Sequence, residues 1–165
     1  MKITFHPDSN TQEFIQATKE YQNIWNEDGQ EIVKKIEMFS GLKFKENDIN
    51  SIVFEGISQS HPLSLRASYS KDVKKATLVH ELIHRIFVGN NIKVTGSEKI
   101  SLAVHKLLDL ILFDIWVDLY GEEFAIHQVK IESQRTEDYR LAWEYALSFT
   151  SEERMKMFKQ LTSKK

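Results

Sequence analysis

The spacing of apolar residues changes near Lys71, from mixed periods before it to helical spacing after it. The first part predicts three strands, KITF, INSIVFEG and LSLRASYS, and the strict alternation of the third is typical of a strand with one buried face. It also predicts helices over 8–27 and 30–41. After Lys71 the pattern predicts helices over 71–88, 98–121, 122–133, 136–149 and 151–162. We therefore expect an α+β fold in which a small, mostly antiparallel sheet packs on a helical half.

Length and composition narrow the classes of protein that fit this pattern. The 165 residues favour a single domain over 1–165, and the net charge of −2 disfavours a nucleic-acid partner. The chain has no cysteine, so any metal must be held by His, Asp or Glu. The start of the chain has no signal-peptide pattern, and aspartates interrupt the longest apolar stretch, LLDLILFDIWVDLY. These features predict a cytoplasmic protein with no membrane partner.

The stretch ATLVHELIHRIFVG carries the main chemical signal. His80 and His84 are four residues apart on a predicted helix, so their imidazoles project side by side, as two ligands of one tetrahedral metal must. Glu81 points about a quarter-turn away and can reach a water molecule beside the metal. The alternative is that both histidines are ordinary, partly buried residues of an apolar helix. The burial expected for this helix makes unpaired polar groups costly, which favours a metal site.

The HELIH motif on a central helix, with strands before it and helices after it, resembles the zincin metallopeptidases over about Leu63 to Ala125. The resemblance implies a zincin-like fold around this helix, a Zn²⁺ cofactor and a peptide or protein substrate. It also implies that the strand LSLRASYS offers backbone N–H and C=O groups to an extended peptide. Phe87 and Asn90 stand where the metzincin branch has Gly and His. The gluzincin branch, which takes its third ligand from the next helix, is the nearer likeness.

The third metal ligand has several candidates downstream of His84. His105 on the next predicted helix is the first choice, and Asp109, one turn later, would then orient a ligand imidazole. Glu122, within the sequence EEFA, is the second choice, and Asp118 follows. Asp114 and Asp118 form an i, i+4 pair whose alternative role is to bond neighbouring helices. The sequence therefore predicts His80, His84 and His105 as metal ligands, with His105 in a place where gluzincins usually have Glu.

These residues predict a zinc-dependent metallopeptidase in which Glu81 acts as the general base. The rival hypothesis is a catalytically inactive zincin-like protein that binds a partner. Tyrosines support the oxyanion in the resembled enzymes, and the sequence does not choose among Tyr120, Tyr139 and Tyr145, for which core packing is the alternative role.

Overall fold

The computed structural model describes residues 1–94 and 98–163. Its strands are β1 (Lys2–Pro7), β2 (Asp48–Phe54) and β3 (Leu63–Arg66), and its helices are α1 (Gln12–Ser40), α2 (Lys71–Gly89), α3 (Ile100–Tyr120), α4 (Glu122–Ser133), α5 (Glu137–Leu147) and α6 (Ser151–Thr162). The chain forms two compact units, one from 1–37 and 42–90 and the other from 38–41 and the chain after Asn90. The single domain expected over 1–165 stays a prediction, because compact units of this size can fold together or separately.

The sheet of the first unit is parallel throughout, so the prediction of a mostly antiparallel sheet is wrong. The strand order is β1-β2-β3, with Lys2 opposite Asp48 and Ser51 opposite Leu63. The long helix α1 returns the chain to the end of the sheet at which β1 began, and a crossover of this kind makes the next strand parallel. Among the described residues, antiparallel pairing is limited to an isolated bridge between Gln59 and Ser64.

A single helix, α1, replaces the two helices predicted over 8–27 and 30–41. Gly29 lies inside it, where glycine ordinarily weakens a helix. The ring of Trp25 packs against this position, and a Cβ atom added to Gly29 would lie only 2.7 Å from that ring. Gly29 therefore makes room for Trp25 within one continuous helix.

β3 is shorter and more buried than the alternation of LSLRASYS predicts. The strand ends at Arg66, and its residues Leu63, Ser64 and Leu65 are all buried. Tyr21 of α1 donates a hydrogen bond from its hydroxyl to the carbonyl oxygen of Arg66, 2.9 Å away. Ser64 on the predicted polar face is buried while Arg66 on the same face is partly exposed, so the predicted exposure of that face holds only in part.

Ion pairs join the start of α2 to α1 within the first unit. The ammonium group of Lys74 pairs with Glu20, and that of Lys75 pairs with Asp28 at 2.8 Å. The side chain of Lys74 is only 3% exposed, and its hydrogen bond is the main cause that lowers the pKa of the Glu20 carboxyl. These pairs fix the first two turns of the helix that carries the HELIH motif.

The second unit consists of helices α3 to α6, as the helical spacing after Lys71 predicts for this part of the chain. Its core contains Trp116 of α3 stacked on Trp143 of α5, with ring centroids 5.5 Å apart. Thr150 caps α6 in a capping box with Glu153, which satisfies backbone N–H groups at the start of this helix. No helix in the described ranges is both long enough and apolar enough to cross a bilayer.

Candidate metal centre

Helix α2 places the two histidines of the HELIH motif together. Ser70 caps the helix by accepting a hydrogen bond from the backbone N–H of Val73. The Nε2 atoms of His80 and His84 lie 3.1 Å apart, with ring centroids separated by 4.9 Å. Two nitrogen ligands of a tetrahedral zinc ion lie about 3.3 Å apart, given Zn–N bonds of about 2.0–2.1 Å. The separation of these two imidazole nitrogens therefore fits a shared metal ion.

His105 lies in the second turn of α3 and is nearly buried, with 9% of its surface exposed. Its Nδ1 atom is 2.8 Å from the carbonyl oxygen of Ser101, one turn earlier. A carbonyl oxygen can only accept a hydrogen bond, so Nδ1 carries the proton in this contact. Nε2 of the neutral ring then carries the lone pair with which an imidazole binds a metal ion.

The structure brings His80, His84 and His105 together, with one ligand nitrogen from each lying within 4.8 Å of the others. This group can hold a metal ion, which supports the metal site that the sequence predicts. Three imidazoles suit several transition metals, including zinc, copper, iron and nickel, so the donor set does not by itself select zinc.

The other candidates for the third ligand lie outside this group in the described part of the chain. Asp114 forms a bidentate ion pair with Arg154 of α6, at 3.0 and 2.7 Å. It therefore bonds a neighbouring helix, which was the alternative role for this residue. Asp118 and Glu122 are both exposed.

Asp109 of α3 is a buried carboxyl. Its carboxyl is completely buried, and neither oxygen has a hydrogen-bond partner among the described residues. Burial raises the pKa of this carboxyl well above its usual range, and the charge of Glu132 raises it further. His105 donates from Nδ1 to the carbonyl oxygen of Ser101, so Asp109 does not orient this imidazole, and its support of another ligand histidine stays a prediction.

Comparisons with protein-family models, with curated proteins and with solved structures give no match to this chain. The likeness to zincins therefore depends on the HELIH motif and its surroundings, and the functional assignment depends on the geometry of the three histidines.

Glu81, the predicted general base, follows His80 directly on α2 and is 7% exposed. Burying a carboxylate is costly unless a bound group or a partner compensates for it. A nearby cation would supply such compensation, so the position of Glu81 is compatible with a metal held by His80.

The outer edge of β3, which was expected to bind an extended peptide, is already hydrogen-bonded. Ser64 exchanges two backbone hydrogen bonds with Gln59, each 2.9 Å long. The backbone N–H of Arg66 donates to the hydroxyl of Ser58, and its carbonyl oxygen accepts from the hydroxyl of Tyr21. The prediction that this strand offers free backbone groups to a substrate is therefore wrong, although β3 does lie at the edge of the sheet.

Arg85 holds the segment that closes this edge. It follows His84 on α2, forms a two-pronged ion pair with Glu46 and donates to the carbonyl oxygen of Ser60. Burial, and to a smaller extent the charge of Arg85, lowers the pKa of the neighbouring His61 imidazole. The helix that carries two of the histidines thus also anchors the chain at Ser60.

Sequence reasoning missed two contacts of His105, namely the Ser101 carbonyl and the ring of Tyr139, whose centroid is 4.3 Å from that of the imidazole. The sequence did name Tyr139, together with Tyr120 and Tyr145, but gave no reason to prefer it. Tyr145 instead lies beside Phe149 and under the ammonium of Lys106.

Proposed function

We propose that this protein is a zinc-dependent metallopeptidase that hydrolyses peptide bonds in a peptide or protein substrate. The observation that carries the proposal is the group of three imidazoles from His80, His84 and His105, with Glu81 adjacent to the first of them. Three protein nitrogen ligands leave one position of a tetrahedral zinc ion for a water molecule, which is the usual arrangement in catalytic rather than structural zinc sites.

The three histidines would hold the ion through neutral imidazoles, which leaves the full charge of +2 on the site. When bound, zinc supplies a Lewis acid that polarises a carbonyl group and lowers the pKa of water. A site with three neutral ligands is more electrophilic than one in which a carboxylate replaces His105. Glu81 takes the proton of the attacking water and then delivers it to the leaving amine.

An inactive, partner-binding protein with the same metal site is the second candidate. The observation that favours it is the closed outer edge of β3, where Ser64 and Arg66 already have backbone partners. Such an edge does not bind an extended peptide by adding a strand. Hydrolytic activity separates the two candidates, since both require the metal.

The test has two stages, beginning with the zinc content of the purified protein. His80→Ala and His105→Ala should each lose most of the zinc, because removing one of three ligands leaves an incomplete site. His127→Ala is the matched control, since His127 is an exposed histidine on α4 outside the group. If the His105 variant kept its zinc while Glu122→Ala or Asp118→Ala lost it, the ligand assignment would be wrong.

The second stage measures hydrolysis of a mixed peptide library by mass spectrometry. Glu81→Gln should keep zinc and the fold but lose hydrolysis, because an amide cannot accept the proton of the water. Full activity in this variant would disprove the general-base role. Zinc binding without any cleavage by the wild type would favour the partner-binding candidate. We also propose, as the sequence predicts, that the protein acts in the cytoplasm.

A further inference from the structure

The first turn of α3, which leads to His105, lacks a side-chain cap of its own. Lys99 occupies the N-cap position and makes no capping hydrogen bond. Its ammonium group instead pairs with Asp138 of α5 at 2.7 Å, and the hydroxyl of Ser101 donates to the same carboxylate. Both bonds, with the Lys99 charge, lower the pKa of Asp138 and keep it ionised. Asp138, at the start of α5, therefore bonds the start of α3 in place of a side-chain cap.

Tyr139, the residue after Asp138, contacts the imidazole itself. The ring centroids of Tyr139 and His105 are 4.3 Å apart, with the ring planes tilted by 45°. Tyr139 lies in the first turn of α5, where its backbone N–H donates to the hydroxyl of Thr136, the N-cap residue. The phenol ring is thus carried by a capped helix turn rather than by a loop.

Together these contacts restrain His105 in two ways. The Ser101 carbonyl fixes which nitrogen carries the proton, and the Tyr139 ring limits rotation of the imidazole about its side-chain bonds. A histidine that binds metal gains affinity when its ring is held in the ligating orientation before the metal arrives.

We propose that Tyr139 is the positioning residue of His105. Asp138 supports this role by bonding the side-chain hydroxyl of Ser101, the residue whose carbonyl oxygen accepts from His105. The inference rests on the proposed metal site and adds the residues that orient its third ligand. Tyr139 acts through His105, so it is not a catalytic residue.

The experiment compares zinc affinity in the wild type, Tyr139→Ala, Tyr139→Phe and Tyr145→Ala, by competition with a chromophoric chelator. Tyr139→Ala should bind zinc about 10- to 100-fold more weakly, the usual loss when a partner of a ligand is removed. Tyr139→Phe keeps the ring and should bind zinc as the wild type does. Tyr145→Ala is the matched control, since Tyr145 is also on α5 but lies beside Phe149.

A second measurement needs no metal. Nitrogen-15 NMR of the metal-free protein, at a pH where His105 is neutral, reports which of its nitrogens carries the proton. The wild type should show the Nδ1–H form, and Tyr139→Ala should show a mixture of both forms. If Tyr139→Ala does not fold, Tyr139→Leu retains bulk without an aromatic face and should show the same two changes in smaller degree.

The outcomes separate this inference from the proposed function. A wild type that takes no zinc would overturn the metal site, while the NMR measurement would still decide the role of Tyr139. Zinc binding that depends on His105, with affinity and proton position unchanged in both the Ala and the Leu variants, would overturn the inference alone.

Discussion

Replacing Asp114 by alanine tests whether this residue is a structural partner of α6 or a metal ligand. In the structure its carboxylate accepts two hydrogen bonds from the guanidinium of Arg154, at 3.0 and 2.7 Å. The side chains of Arg154 and Asp114 are only 7% and 11% exposed. The substitution would leave Arg154 with its hydrogen bond to the carbonyl oxygen of Phe149 but without a counter-charge.

The expected loss of unfolding free energy follows from the burial of this ion pair. Removing one partner of a buried ion pair costs about 3–5 kcal/mol, because the remaining charge stays desolvated. Exposed pairs contribute only about 0–1 kcal/mol. Arg140 and Glu137 of α5 form such a pair, with side chains 43% and 67% exposed. Glu137→Ala is therefore the matched control, and its unfolding free energy should stay close to that of the wild type, while that of Asp114→Ala falls.

The assay is urea-induced unfolding, followed by tryptophan fluorescence and by circular dichroism. Trp116 and Trp143 stack in the same unit as Asp114, so their fluorescence reports on the affected helices. Zinc content should be unchanged in Asp114→Ala, since this residue is outside the histidine group. Equal stability of the two variants would refute the burial argument, and loss of zinc in Asp114→Ala would show that it is a ligand.

Two further predictions concern a buried carboxyl and a closed strand edge. The pKa of Asp109 is raised in the folded state, so the folded protein binds this proton more tightly than the unfolded chain does. The metal-free wild type should therefore lose stability as pH rises above the pKa of about 3.9 that an aspartate has in an unfolded chain. Each unit of difference between the folded and unfolded pKa of Asp109 costs about 1.4 kcal/mol of stability at a pH above both pKa values. Asp109→Asn should remove this pH dependence of stability, measured by urea unfolding between about pH 4 and pH 8. An identical slope of stability against pH in the wild type and the variant would contradict the prediction. The backbone amide of Ser64, bonded to Gln59, should be protected in hydrogen-exchange NMR, and exchange at the rate of an unstructured peptide would mean that the edge is open.

The helical second part of the chain could be predicted from apolar spacing, whereas the direction of the strands could not. Alternation and β-branched content report how a strand is buried, and they are the same for parallel and antiparallel neighbours. The direction here depends on α1, and the sequence around Gly29 gave the wrong impression that this helix is broken. The contact between Trp25 and Gly29, one turn apart on the same face, gives this glycine a packing role inside a continuous helix.

The candidate site, too, could be predicted from sequence only where its signal is local. His80 and His84 could be paired from sequence because the i, i+4 spacing of a helix is local. The choice of His105 over Asp118 and Glu122 was made by resemblance, and the structure brings His105 to the other two. The contact with Tyr139 could not be found, because it depends on how α5 packs on α3, and no local pattern encodes that packing.

The closed edge of β3 and the histidine group bear on different parts of the proposed function. The three imidazoles are a group that can hold a metal ion, whereas strand-type substrate binding requires free backbone groups beside the helix that carries the HELIH motif. Arg85 links the two features, since it follows His84 on α2 and also holds Ser60 at the closing segment. A peptide can therefore pair with β3 only if the segment around Gln59 is released, and the exchange rate of the Ser64 amide measures how often that happens. A slow rate together with hydrolysis would mean that the substrate reaches the metal without forming a strand, and a slow rate without hydrolysis would favour the partner-binding role.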